Sequence, residues 1–229
     1  MNHTRPVRGV TRLNDLKWDT ALLQADLAQF EDSDWDAVHY GEEWKQIMLA
    51  HPDGSGETTL HPKVAQCPTL QAVFAAFPGK LLDATLASLA PGGSVGEHRD
   101  ISGGTPMGVG RFHVPIVTDP RVEFFVSGNK LFLAAGETWN LDTSYPHWLQ
   151  NLSDITRVHL IVDVKLTPEV AAMMPPTDLR DRAHQVHFAA ICAAKGVELA
   201  AKDPRALVQR VRKFFKLLVF KQSVLRPED

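Results

Sequence analysis

The sequence predicts a mainly β chain with flanking helices, its core an all-β sandwich or barrel. Two observations predict it. Between Leu81 and Val164, short apolar runs follow one another with turn residues between them, the pattern of a closed or layered β architecture. On either side, before residue 31 and after residue 167, apolar residues recur at helical spacing instead.

In chain order, residues 13 to 31 read as a helix. Leu16, Leu23, Leu27 and Phe30 share a face, and Asp15 is the expected cap. Trp35, Tyr40 and Trp44 lead into Ile47-Met48-Leu49, and a strand is expected over 44–50. The stretch from His51 to Gly56 has loop composition. A short helix is expected from Pro68 to Phe77, ended by Pro78-Gly79. The strands then fall at 81–90, 97–101, 111–117, 122–126, 129–135, 137–142, 146–151 and 157–164, with Ser127-Gly128-Asn129 and Gly136 as turns. Thr167-Pro168-Glu169 is a cap and helix start, and a helix is expected from about Asp178 to Lys195, ending at Gly196. Asp203-Pro204 opens a last helix in which Leu207, Val211, Phe214, Phe215 and Leu218 alternate with basic residues. Such a helix packs on its own barrel or on a second copy of the chain, so a homodimer is expected there.

Composition narrows the function. The chain has 229 residues, with 24 Lys and Arg against 27 Asp and Glu for a net charge of −3, which offers no electrostatic case for nucleic acid. Cys67 and Cys192 match no zinc spacing and fit a reducing cytosol. No stretch reaches the ~18 apolar residues of a membrane span, and no secretory signal follows Met1. A cytoplasmic protein is the expectation.

The chemistry centres on Gly96-Glu97-His98-Arg99-Asp100. His98 and Asp100 are two apart, which on extended backbone puts both side chains on one face. An imidazole and a carboxylate side by side make two-thirds of a facial iron site, in which three protein ligands leave positions open. His147 is the candidate third ligand. Two Arg-x-His copies follow, Arg111-Phe112-His113 and Arg157-Val158-His159, each opening an apolar strand. Around one pocket they would make an anion site, because guanidinium grips carboxylate bidentately. Arg111 is alternatively a salt-bridge residue, His113 and His159 core histidines, and Asp163 a support for Arg157. If 146–164 folds as a hairpin, His147 and Arg157 lie level, sharing a face only when the loop has an odd residue count. His184 and His187, three apart on a helix, are expected to be surface or interface residues.

The order His-x-Asp, Arg-x-His, then Gly136-Glu137-Thr138-Trp139, His147, and Arg157 ten residues later resembles the aspartyl/asparaginyl β-hydroxylase family of Fe(II)/2-oxoglutarate dioxygenases, including its bacterial proline-hydroxylase-like branch. The resemblance runs from about Leu81 to Val164. It implies a double-stranded β-helix (a jelly roll, or cupin-like core); joined to the helical segments read above, the domain is expected over residues 1–165 with N-terminal helical support, followed by a C-terminal helical extension over 166–229 that the resemblance does not cover. By position it implies that His98, Asp100 and His147 bind iron, that Arg157 holds the distal carboxylate of 2-oxoglutarate, and that Arg111 and His113 support that cosubstrate. O2 would be the oxidant and succinate and carbon dioxide the coproducts. Asp100 sets the chain apart from the animal protein-modifying members, which lack this carboxylate, and favours hydroxylation over halogenation. The implied activity is hydroxylation of an unactivated C–H bond in a free or modified amino acid. Two alternatives stay open: β-hydroxylation of Asp or Asn in a peptide, and a non-oxidative cupin-like binding or isomerase module.

Overall fold

The computed structural model describes residues 3–38, 41–53, 57–100 and 103–202. Its strands, in chain order, are β1 (His3–Thr4), β2 (Val10–Lys17), β3 (Asp36–Val38), β4 (Gly41–Pro52), β5 (Thr58–Leu60), β6 (Leu81–Leu89), β7 (Ser94–His98), β8 (Val109–Val117), β9 (Val122–Val126), β10 (Asn129–Leu131), β11 (Glu137–Leu141), β12 (His147–Asn151) and β13 (Arg157–Lys165). The helices are α1 (Thr20–Leu27), α2 (Pro68–Ala75), α3 (Pro168–Ala172) and α4 (Leu179–Lys202). Among the described residues no helix is long and apolar enough to cross a membrane.

The strands form two antiparallel sheets. The larger runs β1-β2-β11-β8-β13-β6-β4-β3, with β5 beside β4, and the smaller runs β10-β9-β12-β7. From β6 onward the chain crosses from sheet to sheet at every step except the β9–β10 hairpin, which is the winding of a jelly roll. Alternation along each strand then divides the side chains. Phe112, Val114 and Ile116 of β8 and Val158, Leu160, Val162 and Val164 of β13 face outward, where they pack with Leu23 of α1 and Leu70 and Val73 of α2. The residues between them, including Arg111, His113, Arg157 and His159, face the space between the sheets. Val95, Phe124, Trp139, Leu141 and Leu149 make that interior apolar.

Each of the eight strands expected between residues 81 and 164 has a counterpart, but the one expected over 97–101 lies at Ser94–His98, leaving Asp100 beyond its end, and the one expected over 129–135 stops at Leu131; Ser127-Gly128 makes the two-residue turn with both residues at positive φ. The N-terminal expectation is corrected. Residues 13–17 belong to β2, because Val10, Thr11 and Arg12 pair with Leu141, Asn140 and Trp139 of β11 and claim the backbone for the sheet. The helix starts only after Asp19, whose Oδ1 accepts from the N–H groups of Ala21 and Leu22 at 2.8 and 3.2 Å. At the other end α4 continues through Gly196 to Lys202. The expected last helix from Asp203, with its dimer contact, lies outside the described residues, as do Tyr40 and residues 54–56 of the predicted loop.

The 146–164 stretch is not a hairpin. β12 pairs with β7 and β9, whereas β13 pairs with β6 and β8, so residues 152–156 cross between the sheets. Asn151, fully buried, ties this crossing to the one at 90–93. Its amide donates to the carbonyls of Leu89 (2.9 Å) and Ile155 (2.8 Å), and its Oδ1 accepts from the Ser153 N–H (3.0 Å) and hydroxyl (2.6 Å). Asn151→Ala strands these groups in the interior; urea unfolding should show a loss of about 2 kcal/mol with an unchanged m-value.

Candidate metal centre and anion pocket

His98 closes β7 and His147 opens β12, and the two are direct cross-strand partners. A β-bulge makes this possible. Leu149 faces Val95 and His147 faces His98, so β7 spends three residues where β12 spends two. Without the extra residue, regular alternation from Val95 would turn Glu97 inward and His98 out. Asp100 follows β7, with its N–H donating to the Thr143 carbonyl at 2.9 Å. One donor atom from each of His98, Asp100 and His147 lies within 4.8 Å of the other two, and among the described residues this is the one such cluster. Nδ1 of His98 is 2.8 Å from the Gly96 carbonyl, and Nδ1 of His147 is 3.1 Å from that of Tyr145. Those bonds put the ring proton on Nδ1 and leave Nε2 as the ligating atom, the usual orientation of metal-binding imidazoles. Burial and then His98 hold the His147 pKa below its ordinary value, keeping the imidazole neutral as a metal requires.

Arg111 fixes the third donor. Its Nε and Nη2 grip Asp163, directly opposite on β13, at 2.8 and 2.7 Å, and its Nη1 donates to Oδ2 of Asp100. Burial opposes its charge, but Asp163, then Asp100 and Asp83, raise its pKa. Arg111 thus takes the salt-bridge alternative and holds a candidate ligand in place. Asp163, expected to support Arg157, pairs with Arg111 instead.

Arg157 is the contrast. It is 1% exposed, its Nε and Nη1 have no hydrogen-bond partner, and burial alone pulls its pKa down to about 9. The face of the Trp44 ring lies 6.0 Å away. His113 and His159 are also buried with both ring nitrogens unpartnered. Burial first, then Arg157 and other nearby charges, holds both imidazoles well below their usual pKa and hence neutral. His113 is near enough to Arg157, Arg111 and His147 to feel each, so it stands between the donor cluster and the buried guanidinium.

The residues fit the implied groups. Two neutral imidazoles and one carboxylate on one side of an ion suit Fe(II) and leave positions for 2-oxoglutarate and O2. Orphaned donors on Arg157 and His113 suit an anion reaching inward from that ion. The sequence did not point to the segment that braces the centre. Tyr145 and Ser144, just before His147, are held by α4: His184 stacks on Tyr145 at 3.6 Å between centroids, its Nε2 lies 2.9 Å from the Ser144 hydroxyl, and Asp181 accepts from the Tyr145 hydroxyl at 3.3 Å. Asp181 is also paired with Arg5 and Arg8. His184 is therefore an internal contact, and His187 is exposed.

A family model described as Aspartyl/Asparaginyl beta-hydroxylase matches residues 15–167. The chain belongs to this family. It is accordingly an oxidoreductase of the Fe(II)/2-oxoglutarate oxygenase kind. A comparison with curated proteins finds no match. Among solved structures it is similar to an oxidoreductase of the 2OG-Fe(II) oxygenase family from Burkholderia pseudomallei, at 14% identity and TM-score 0.49 over 66% of this chain and 79% of that one. It is similar also to HygX from Streptomyces hygroscopicus, solved with nickel and 2-oxoglutarate bound (11%, TM-score 0.49, 70% and 84%). A third is the non-heme alpha ketoglutarate dependent carbocyclase SnoK from nogalamycin biosynthesis (13%, TM-score 0.49, 74% and 88%).

Two outcomes follow from this geometry. Arg111→Met frees Asp100 and should weaken Mn(II) binding about 10- to 100-fold by calorimetric titration, with Asp163→Asn weakening it in the same direction. His113 and His159 are held neutral in the fold but titrate near 6.5 when unfolded. Below about pH 6.5 the unfolded chain therefore binds more protons, and stability falls with pH by up to about 1.4 kcal/mol per unit for each ring. Urea unfolding of the metal-free protein between about pH 7 and 5 measures this.

Proposed function

We propose that the chain is an Fe(II)/2-oxoglutarate-dependent hydroxylase of a small molecule, a free or modified amino acid. Arg157 carries the reading: a buried guanidinium with no counter-ion among the described residues, on the inner wall beyond the donor cluster, is what a dicarboxylate cosubstrate needs and what a redox-neutral cupin does not. When bound, ferrous iron would couple O2 to the oxidative decarboxylation of 2-oxoglutarate, one oxygen atom going into succinate, released with carbon dioxide, and the other into a substrate C–H bond.

The chain's own residues position and enclose. His98, Asp100 and His147 would hold the metal, with Asp100 kept in place by Arg111. Arg157 would fix the distal carboxylate, and Phe124, Leu131 and Leu133 would exclude water from it. The opposite side is open, with the side chains of His98 and Asp100 25% and 23% exposed. There the inner face of β6 offers Asp83, beside Asp163 in the cross-strand row. Burial, against the Thr85 hydrogen bond and aided by Asp163, raises its pKa. The guanidinium that Asp83 feels is that of Arg111, which Asp163 already grips; a carboxylate left to share it supports a substrate bearing an ammonium group. The barrel domain would run to residue 165 and the helical extension over 166–229. Two free thiols, Cys67 buried and Cys192 half-buried, support a cytoplasmic setting.

The test is succinate release with Fe(II), 2-oxoglutarate and an amino-acid panel. One or more free amino acids should stimulate release and gain one oxygen atom by mass. Modification confined to Asp or Asn in a peptide would replace the small-molecule reading. Asp100→Ala should cut turnover about a hundredfold or more, and Arg157→Leu should raise the KM for 2-oxoglutarate by a similar factor. Full activity in Asp100→Ala would refute the ligand set.

A further inference from the structure

We propose that His159 is a second donor to the distal carboxylate of the cosubstrate, acting beside Arg157 and strengthening the preference for a dicarboxylate. The inference rests on the cosubstrate reading above. It starts from strand geometry. Arg157 and His159 are two apart on β13, so they project to the same inner face, and both line one small cavity with Phe124, Leu131 and Leu133. The wall those three supply is apolar, as are Val122 and Phe132 beside them; Thr118, the guanidinium and the imidazole are its polar side chains.

His159 is 2% exposed, and neither ring nitrogen has a hydrogen-bond partner. A neutral imidazole always carries one N–H, and burying it unpaired is costly whichever nitrogen bears the proton. The sheet provides no relief. The cross-strand neighbours of His159 are Ala87 on β6 and Pro115 on β8, neither with a polar side chain. A histidine that served only to pack would find a partner or be better replaced by an apolar residue. The orphaned N–H is instead accounted for by a ligand oxygen, and the ligand must bring a negative charge because Arg157 alongside has none to meet. A carboxylate has two oxygens and about four acceptor sites, so it can accept from the guanidinium and from the imidazole together.

His159 lies further along the sheet from the donor cluster than His113: it faces Pro115, whereas His113 faces Ile161, two residues nearer the Asp163–Arg111 pair that holds Asp100. The charged groups it feels are Arg157 and His113, whereas His113 also feels His147. The ring of His113 stands edge-on, 5.9 Å away between centroids. His113 is thus placed along the body of the cosubstrate and His159 at its distal end. Held neutral by its surroundings, His159 donates without adding a second charge.

The experiment compares 2-oxoglutarate with 2-oxovalerate, which has the same five-carbon chain but no distal carboxylate, by calorimetric titration of the Zn(II)-loaded full chain. Wild type should bind 2-oxoglutarate far more tightly. His159→Leu should shrink that preference about tenfold while leaving 2-oxovalerate binding unchanged, and His159→Gln, which keeps an N–H donor, should recover part of it. Equal weakening of both ligands, or of neither, would mean that His159 only packs and would overturn the proposal. If wild type shows no preference for 2-oxoglutarate, the cosubstrate reading itself is wrong, which separates the two failures. Should His159→Leu not fold, ring-nitrogen NMR of the wild-type Zn(II) protein decides: the His159 signals should move on adding 2-oxoglutarate and not on adding 2-oxovalerate, and signals that stay put overturn the assignment.

Discussion

A guanidinium enclosed with no carboxylate beside it among the described residues is the constraint around which this barrel is arranged. The inner faces of β8 and β13 carry two arginines in related positions, and they meet opposite fates. Arg111 is gripped by Asp163 and donates to Asp100, so its charge is spent inside the protein. Arg157 lies six residues before Asp163 on the same strand, roughly 20 Å away at the usual rise, beyond reach of that carboxylate. The fold thus divides its interior into a neutralised region that steadies a donor cluster and a positive region that waits for an anion. Low dielectric makes the second region expensive when empty and selective when filled.

Much of this was legible in the sequence. Eight strands could be placed because turn residues separate the apolar runs, as at Ser127-Gly128 and Gly136. The spacing of His98 and Asp100 and the later His147 point to the donor cluster that the structure brings together, although β7 ends at His98 and Asp100 lies beyond it. What could not be read depends on pairings between remote strands. Asp163 meets Arg111 across a separation of 52 residues, and neither residue carries a local sign of it. The bulge at Gly96-Glu97 is equally silent, since it exists only relative to β12. The N-terminal segment misled for a different reason: Leu13 and Leu16 fit the spacing of the following helix, and only the edge of β11 decides that residues 13–17 are strand.

The donor cluster is supported from several sides at once. Backbone carbonyls of Gly96 and Tyr145 fix the two imidazoles, Arg111 fixes the acid, and the Thr143 carbonyl accepts the Asp100 N–H. Each support comes from a different part of the chain, so the cluster's geometry is set by the packing of the whole barrel rather than by one loop. Asn151 plays a comparable part at the crossings, where one buried amide serves two sheet-to-sheet connections.

The helix that follows the barrel adds one more consequence. α4 lies wholly beyond the residues that define the family, 15–167, yet His184 and Asp181 grip Tyr145, two positions from His147. Relatives can therefore share every residue of the barrel and still differ in how firmly this loop is pressed into place. Divergence within the family can act on the candidate centre from a helix beyond the residues that the family model matches.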